Sequence, residues 1–145
     1  MRLKAAVCYA PRDIRIEHEE IERLGPGDVR VNVAYCGVCP WDLRVYLGLS
    51  SSVHYPLHMG HELSGVVTET GAEVHGLRPG DRVCVDAIRR CGTCSACTRG
   101  LENHCANADF SRGGFATHIT APASNVYPLR DSTPLLHAAL TEPLA

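Results

Sequence analysis

No apolar run in this 145-residue chain approaches the roughly 20 residues that a membrane-spanning helix needs. No basic run occurs, and the net charge is −2, so nothing electrostatic argues for nucleic acid as a partner. The opening stretch, Met1 to Tyr9, is too short and too soon followed by charge to read as a secretory signal. Internal repeats and low-complexity tracts are missing. So is any G-x-G-x-x-G, the glycine pattern that lets a backbone approach a dinucleotide. These absences predict a cytoplasmic protein with no membrane or nucleic-acid partner and no nicotinamide site within these residues. The length suffices for one domain with a real core.

Cysteine, by contrast, is plentiful. Eight cysteines without an export signal indicate a reducing compartment and metal or catalytic use. Four of them, Cys91, Cys94, Cys97 and Cys105, have the spacing C-x2-C-x2-C-x7-C. Zn²⁺ takes four soft ligands at tetrahedral corners, each sulfur about 2.3 Å from the metal. Short C-x2-C loops turn neighbouring thiolates onto one ion, and Gly92 and Gly100 relax the backbone where it must bend. Two disulfides are the first competitor, disfavoured by the missing signal. An iron–sulfur cluster is the second, but its pattern usually needs a later C-x3-C-P, and Ala106 follows Cys105 here. Zinc is the favoured reading. A closed four-thiolate site is structural and by itself names no activity.

Around this lobe, 91–105, short alternating segments sit between Gly/Pro/Asp turns. Leu3 to Tyr9 is an apolar strand turned by Pro11 and Asp13. Ile14, Ile16 and His18 alternate with charge, which predicts a half-buried strand. Val29, Val31 and Val33 give the clearest strand of all. Further strands are predicted at 82–87, from Phe115 to Ile119 and from Asn125 to Leu129. Pro40 to Leu47 reads as a short helix with Pro40 in its first turn and Gly48 as its stop. A loop with serines 50–52 and Pro56 runs from Gly48 to His58. Thr133 and Pro134 predict a helix start, with Thr133 as cap and the helix reaching about Leu140. The fold class is therefore mainly β with short helices, an antiparallel barrel or sandwich.

A second cluster of chemistry lies before the lobe. Cys39 stands at the start of the 40–47 helix, where unpaired amides favour a thiolate. His61 and Glu62 are adjacent at the mouth of a strand. Cysteine, histidine and carboxylate form a plausible three-ligand set, and three protein ligands with an open fourth corner is how catalytic zinc is held. His54 and His58 compete but rank behind, because they lie in the loop flanking Pro56. Two rival readings use the same thiols. Cys36 and Cys39 could be a C-x-x-C redox pair, or two small buried thiols.

Three patterns together resemble the catalytic, GroES-like domain of the zinc-dependent medium-chain alcohol and polyol dehydrogenases. They are Gly60-His61-Glu62-x2-Gly65-x5-Gly71-x2-Val74, Gly37-Val38-Cys39-x2-Asp42-Leu43, and the four thiols of the lobe. The resemblance covers nearly all of residues 1–145 and implies a partly open β-barrel carrying an inserted structural zinc lobe. It implies two zinc ions per chain. Cys39 and His61 would hold the catalytic one, with Glu62 as a third, exchangeable ligand and Asp42 bonded to the ligating histidine. Thr141-Glu142-Pro143-Leu144 resembles the polyol and sorbitol-like branch, where Glu142 would lie at the metal. The implied reaction oxidises a secondary alcohol, polyol or sugar alcohol to a ketone, or the reverse, with hydride transfer to NAD or NADP. Dimers or tetramers are implied as well.

Two departures qualify the resemblance. Much of the family has Ser or Thr two residues after the first Cys, passing the substrate proton outward; Trp41 stands there instead. A water, Glu62 or Glu142 would have to take that role, with Trp41 either walling the substrate pocket or acting as a hydrophobic anchor. The family's Rossmann cofactor domain is also absent from these residues and is expected after residue 145, so that this piece alone would be inactive. The competing function classes are a zinc-stabilised binding module and a thiol redox domain.

Overall fold

Strand-forming and turn-forming residues alternate along the chain, and the architecture follows them. The computed structural model describes residues 2–51, 53–109 and 113–145; Ser52 of the predicted loop lies outside the described residues. The elements in order are β1 Arg2–Ala10, β2 Asp13–Glu20, β3 Asp28–Cys36, α1 Pro40–Tyr46, β4 Leu57–His58, β5 Glu62–Thr70, β6 Arg82–Asp86, β7 His118–Pro122, β8 Val126–Pro128, α2 Leu135–Ala138 and α3 Thr141–Leu144. None of these helices is long and apolar enough to cross a membrane.

The strands form two antiparallel sheets, one ordered β2-β1-β4 and one ordered β7-β3-β5-β6-β8. In the larger sheet Val31 lies opposite both Val67 of β5 and Ile119 of β7. The sheets meet where Ala5 bridges Ala116, with the Ala6 N–H donating to the Phe115 carbonyl and the Thr117 N–H to that of Lys4, each at 2.8 Å. No closed ring of strands forms among the described residues. The result is the open, mainly β arrangement with short helices that the sequence predicts.

Alternation fills two cores. The larger joins Val29, Val31, Leu63, Val67, Val83, Val85, Ile119, Ala121 and Val126, all buried. Burying one such side chain contributes about 1.5–3 kcal/mol against the entropy of ordering it. The smaller joins Cys8, Val45 and Met59, with Trp41, Tyr55, Leu57 and Phe115 packed against it. It seats α1 on β1, helped by the Tyr55 hydroxyl, which donates to the Val45 carbonyl at 2.7 Å. The cysteine lobe leaves the larger sheet at Arg89 and returns at Asp109, whose main chains exchange two hydrogen bonds of 2.8 and 2.9 Å.

Several expectations shift. β2 is an edge strand, and its isoleucines face outward, with Ile14 43% and Ile16 65% exposed. Glu17 and Glu19 take the half-buried face instead, and His18 is exposed. His58 is not in a loop: it pairs with Val7 as half of β4. The strand predicted from Phe115 begins at His118. The helix predicted to reach about Leu140 has Pro134 rather than Thr133 at its N-cap position and stops at Ala138, and a separate α3 follows at Thr141–Leu144.

Leu63, 1% exposed between the β3 and β6 faces, tests the larger core. Leu63→Ala should lower the unfolding free energy by about 2–5 kcal/mol, read from the urea midpoint at unchanged m-value.

Candidate metal centres

Two groups of donors converge among the described residues, and both are groups that the sequence singles out. In the lobe, the sulfurs of Cys91, Cys94, Cys97 and Cys105 all lie within 4.8 Å of one another. Cys94 Sγ is 3.5 Å from that of Cys97 and 4.0 Å from that of Cys105, which in turn is 3.6 Å from that of Cys91. A tetrahedron of sulfurs about 2.3 Å from a centre has edges of ~3.8 Å. A disulfide would need about 2.05 Å, and all eight cysteines are free. The backbone bends twice to permit this, with Gly92 at φ +70° and Gly100 at +74°.

Electrostatics point the same way. Amides of Thr93 and Cys94 and the Asn107 side chain bring the Cys91 thiol down to about 5. Hydrogen bonds from the Cys97 and Ala106 amides lower Cys94 as well. Burial, and then the neighbouring Cys94 and Cys105 sulfurs, push Cys97 up to about 12. Four thiolates this close would repel one another, and a dication is what allows all four to ionise together. The donor set thus fits a divalent soft metal.

The second group forms where α1 meets β5. Cys39 is the N-cap of α1, in extended backbone, and its Sγ accepts the Trp41 N–H at 3.5 Å. Asp42, one turn in, is 2% exposed. Its Oδ2 accepts the Cys39 N–H at 2.9 Å and its Oδ1 the Gly60 N–H at 3.3 Å. Gly60 sits at φ +89°, and an added Cβ would come within 2.7 Å of the Phe115 nitrogen. Only glycine turns the chain there without strain, and the turn delivers His61. Glu62 follows as the first residue of β5, buried, its carbonyl accepting the Gly37 N–H at 2.8 Å. Donor atoms of Cys39, His61 and Glu62 all fall within 4.8 Å of one another.

Of the three, His61 lines a cleft of about 220 Å³, together with Trp41, His58, Gly60, Ala87, Ile88 and Glu142. The Trp41 ring meets the His61 ring edge-on, centroids 5.7 Å apart. Glu142, from α3, lines the cleft but is not among the three clustered donors. Asp42 stands beside His61, yet Oδ1 is 3.8 Å from Nδ1, longer than a hydrogen bond. Its bonds go to the two backbone amides, so it fixes both donors through the main chain rather than through the imidazole ring. Cys36 takes no part among the donors. Burial, followed by the Asp42 charge, pushes its thiol up to about 12, and a thiol so held is a poor redox nucleophile. His54 is exposed, and His58 is engaged by Glu19.

Two supports are invisible in the sequence. Buried Ser64 donates to the Leu135 carbonyl at 2.6 Å and so ties α2, just before Glu142, to β5. Buried Asn125 donates to the carbonyls of Asp86 (3.0 Å) and Ile88 (2.7 Å), which sets the segment that walls the cleft. Both contacts span dozens of residues, and no local pattern marks them.

The alcohol dehydrogenase GroES-like domain family matches residues 25–131 of this chain. The starvation-sensing protein RspB of Escherichia coli K12 is 32% identical across 97% of the chain and 43% of its own length. Galactitol 1-phosphate 5-dehydrogenase of the same organism is 38% identical across 98% and 42%. The crystal structure of an alcohol dehydrogenase from Escherichia coli CFT073 complexed with NADH superposes with a TM-score of 0.91 at 32% identity, covering 98% of this chain and 42% of that one. The chain thus spans about two fifths of the length of these relatives.

Asp42→Ala leaves two amides unpaired beneath the Cys39, His61 and Glu62 cluster. Zinc affinity there should fall about 10- to 100-fold in a chelator competition, while the Cys91–Cys105 lobe keeps its own affinity.

Proposed function

We propose a catalytic role for this chain from one premise: it belongs to the family of the alcohol dehydrogenase GroES-like domain. Residues 1–145 form the zinc-holding catalytic domain of an NAD(P)-dependent dehydrogenase, with lobe 91–105 as a structural zinc site and a Rossmann domain after residue 145. The absence of G-x-G-x-x-G and the greater length of the relatives support that division. These residues alone would bind zinc and not turn over. The substrate is a secondary alcohol, polyol or sugar alcohol, taken to the ketone or formed from it. Glu142 within Glu142-Pro143-Leu144, with no cysteine after Cys105, supports the polyol side of the family over the primary-alcohol side. A cytoplasmic homodimer or homotetramer is the assembly this reading implies.

The observation that carries the proposal is the convergence of Cys39, His61 and Glu62, with His61 lining a cleft large enough for a small polyol. A thiolate, an imidazole and a carboxylate suit catalytic zinc, and Glu142 lines the same cleft from α3. When bound there, zinc supplies a Lewis acid that polarises an alcohol or carbonyl oxygen. The chain's own residues do the rest. Asp42 holds the Cys39 and Gly60 amides so that the donors keep their spacing. Trp41 closes one wall against His61 and keeps water from that side. Ala87 and Ile88 offer apolar contact to the carbon skeleton, and Glu142 offers a carboxylate to a hydroxyl.

The test is zinc per chain, measured by atomic absorption on the purified protein and two variants. Two ions are expected, with Cys39→Ser losing one and Cys94→Ser losing the other. A single ion, lost only with Cys94→Ser, would leave a structural lobe without a catalytic centre.

A further inference from the structure

An alcohol dehydrogenated in this cleft must release a proton, and Trp41 occupies the position from which a hydroxyl would pass it on. Indole donates one N–H and accepts nothing. The cleft has another wall. His58 lines it, and His58 also lines a second cavity of about 250 Å³ bordered by Glu19, Glu20 and Glu22. This residue is thus common to both linings. Its Nε2 is 2.7 Å from Glu19 Oε1, so in the pair Nε2–H donates to the carboxylate. Both side chains are a little over one-third exposed, 36% for His58 and 37% for Glu19, so Glu19 reaches water.

We propose that His58 and Glu19 are the proton exit of the cleft. The proposal rests on the dehydrogenase reading given above. Oxidation breaks a C–H and an O–H bond of the alcohol and forms the second carbon–oxygen bond of the ketone. The hydride leaves with its electron pair for an oxidised nicotinamide. The proton goes to His58 Nδ1, the nitrogen not engaged by Glu19; the Nε2 proton passes to Glu19 and from there to solvent. Ketone reduction runs the same path inward.

The charges around His58 favour this direction. Glu19 and Glu20 of β2, with Glu22 just beyond, line the outer cavity. Arg30 of β3 lines it too, but its guanidinium is committed to Glu69 at 2.9 Å and to the Glu22 carbonyl. His118 of β7 is held below its usual value by burial and by Arg30, so it adds little positive charge. On the cleft side the groups are His61 and Glu142. An imidazolium at His58 therefore faces carboxylates on both sides. His58 accepts the substrate proton directly; Glu19 is a positioning residue that fixes the tautomer and carries the charge away.

The experiment uses the zinc-loaded protein with its nicotinamide domain, a secondary polyol as substrate, and the variants His58→Val and Glu19→Gln. Valine keeps the β character of β4. With zinc content unchanged, His58→Val should lower kcat at pH 7 on the order of 100-fold, with recovery at higher pH and rescue by added imidazole. Glu19→Gln should lower kcat less and move the acid limb of the pH profile. Independently of turnover, the ring-nitrogen NMR shifts of His58 should report a bias toward the Nε2–H tautomer that Glu19→Gln weakens, since the carboxylate that accepts this N–H is gone. Zinc-loaded His58→Val with wild-type kcat and pH profile would overturn the relay and leave the dehydrogenase reading standing. If His58→Val fails to hold zinc, Glu19→Gln decides: an unmoved pH profile and an unmoved tautomer balance at His58 overturn the proposal. A wild-type protein that is fully zinc-loaded yet oxidises no secondary alcohol would remove the dehydrogenase reading, and the relay with it.

Discussion

The buried carboxylate of Asp42 is the constraint on which the cleft depends. A seven-residue helix has little stability of its own, because nucleation costs more than so few backbone bonds return. α1 holds because its first turn is capped by Asp42 and its apolar side packs onto Cys8 and Met59. The same carboxylate reaches across to the Gly60 amide. One side chain thus ties the start of α1 to the turn before β5, and Cys39 and His61 ride on those two segments. Stripped of its amides, a carboxylate in this setting would be an uncompensated buried charge, so the pairing is enforced from both sides.

The two donor clusters are held by different physics. The lobe spans few residues, has little core of its own, and is closed at its base by the main-chain exchange between Arg89 and Asp109. Its sulfurs differ widely in acidity, Cys91 near 5 and Cys97 near 12, so the group becomes uniformly ionised only around a cation. The Cys39, His61 and Glu62 group, by contrast, is positioned by the fold: a cap, a left-handed glycine and a strand mouth. The first arrangement needs a cation to bring its four sulfurs to one charge state; the second has its three donors gathered by the fold alone.

What the sequence reveals follows from how far each constraint reaches. The lobe is legible because its four donors fall within fifteen residues and need no tertiary context. Cys39, Asp42, His61 and Glu62 are legible as candidates because helix and turn signals flank them closely. β2 shows the limit. Alternation marks it as a strand, but on an edge strand hydrophobicity does not decide which face turns inward, and Ile14 and Ile16 end up outside while Glu19 turns toward His58. His58 itself reads as loop because Pro56 precedes it and β4 is only two residues long. Ser64 and Asn125 act at separations of 71 and 37 to 39 residues, where a lone polar residue in a strand or turn gives no sign of its partner.

Trp41 shows how one substitution redistributes work within the cleft. Its ring packs against the Cys8, Val45 and Met59 core and also meets His61 edge-on, so wall and anchor are the same contact seen from two sides. That double role supplies shape and excludes water, yet it leaves this side of the cleft with no group able to accept a proton. Acid–base capacity must then come from the remaining lining. Glu62 is one of the three donors and is buried, Glu142 lines the cleft from a short helix, and His58 alone among the lining residues also borders the carboxylate-lined outer cavity. A wall that is apolar at Trp41 and titratable at His58 gives the cleft a direction, dry where the carbon skeleton sits and open to protons on the side of β2.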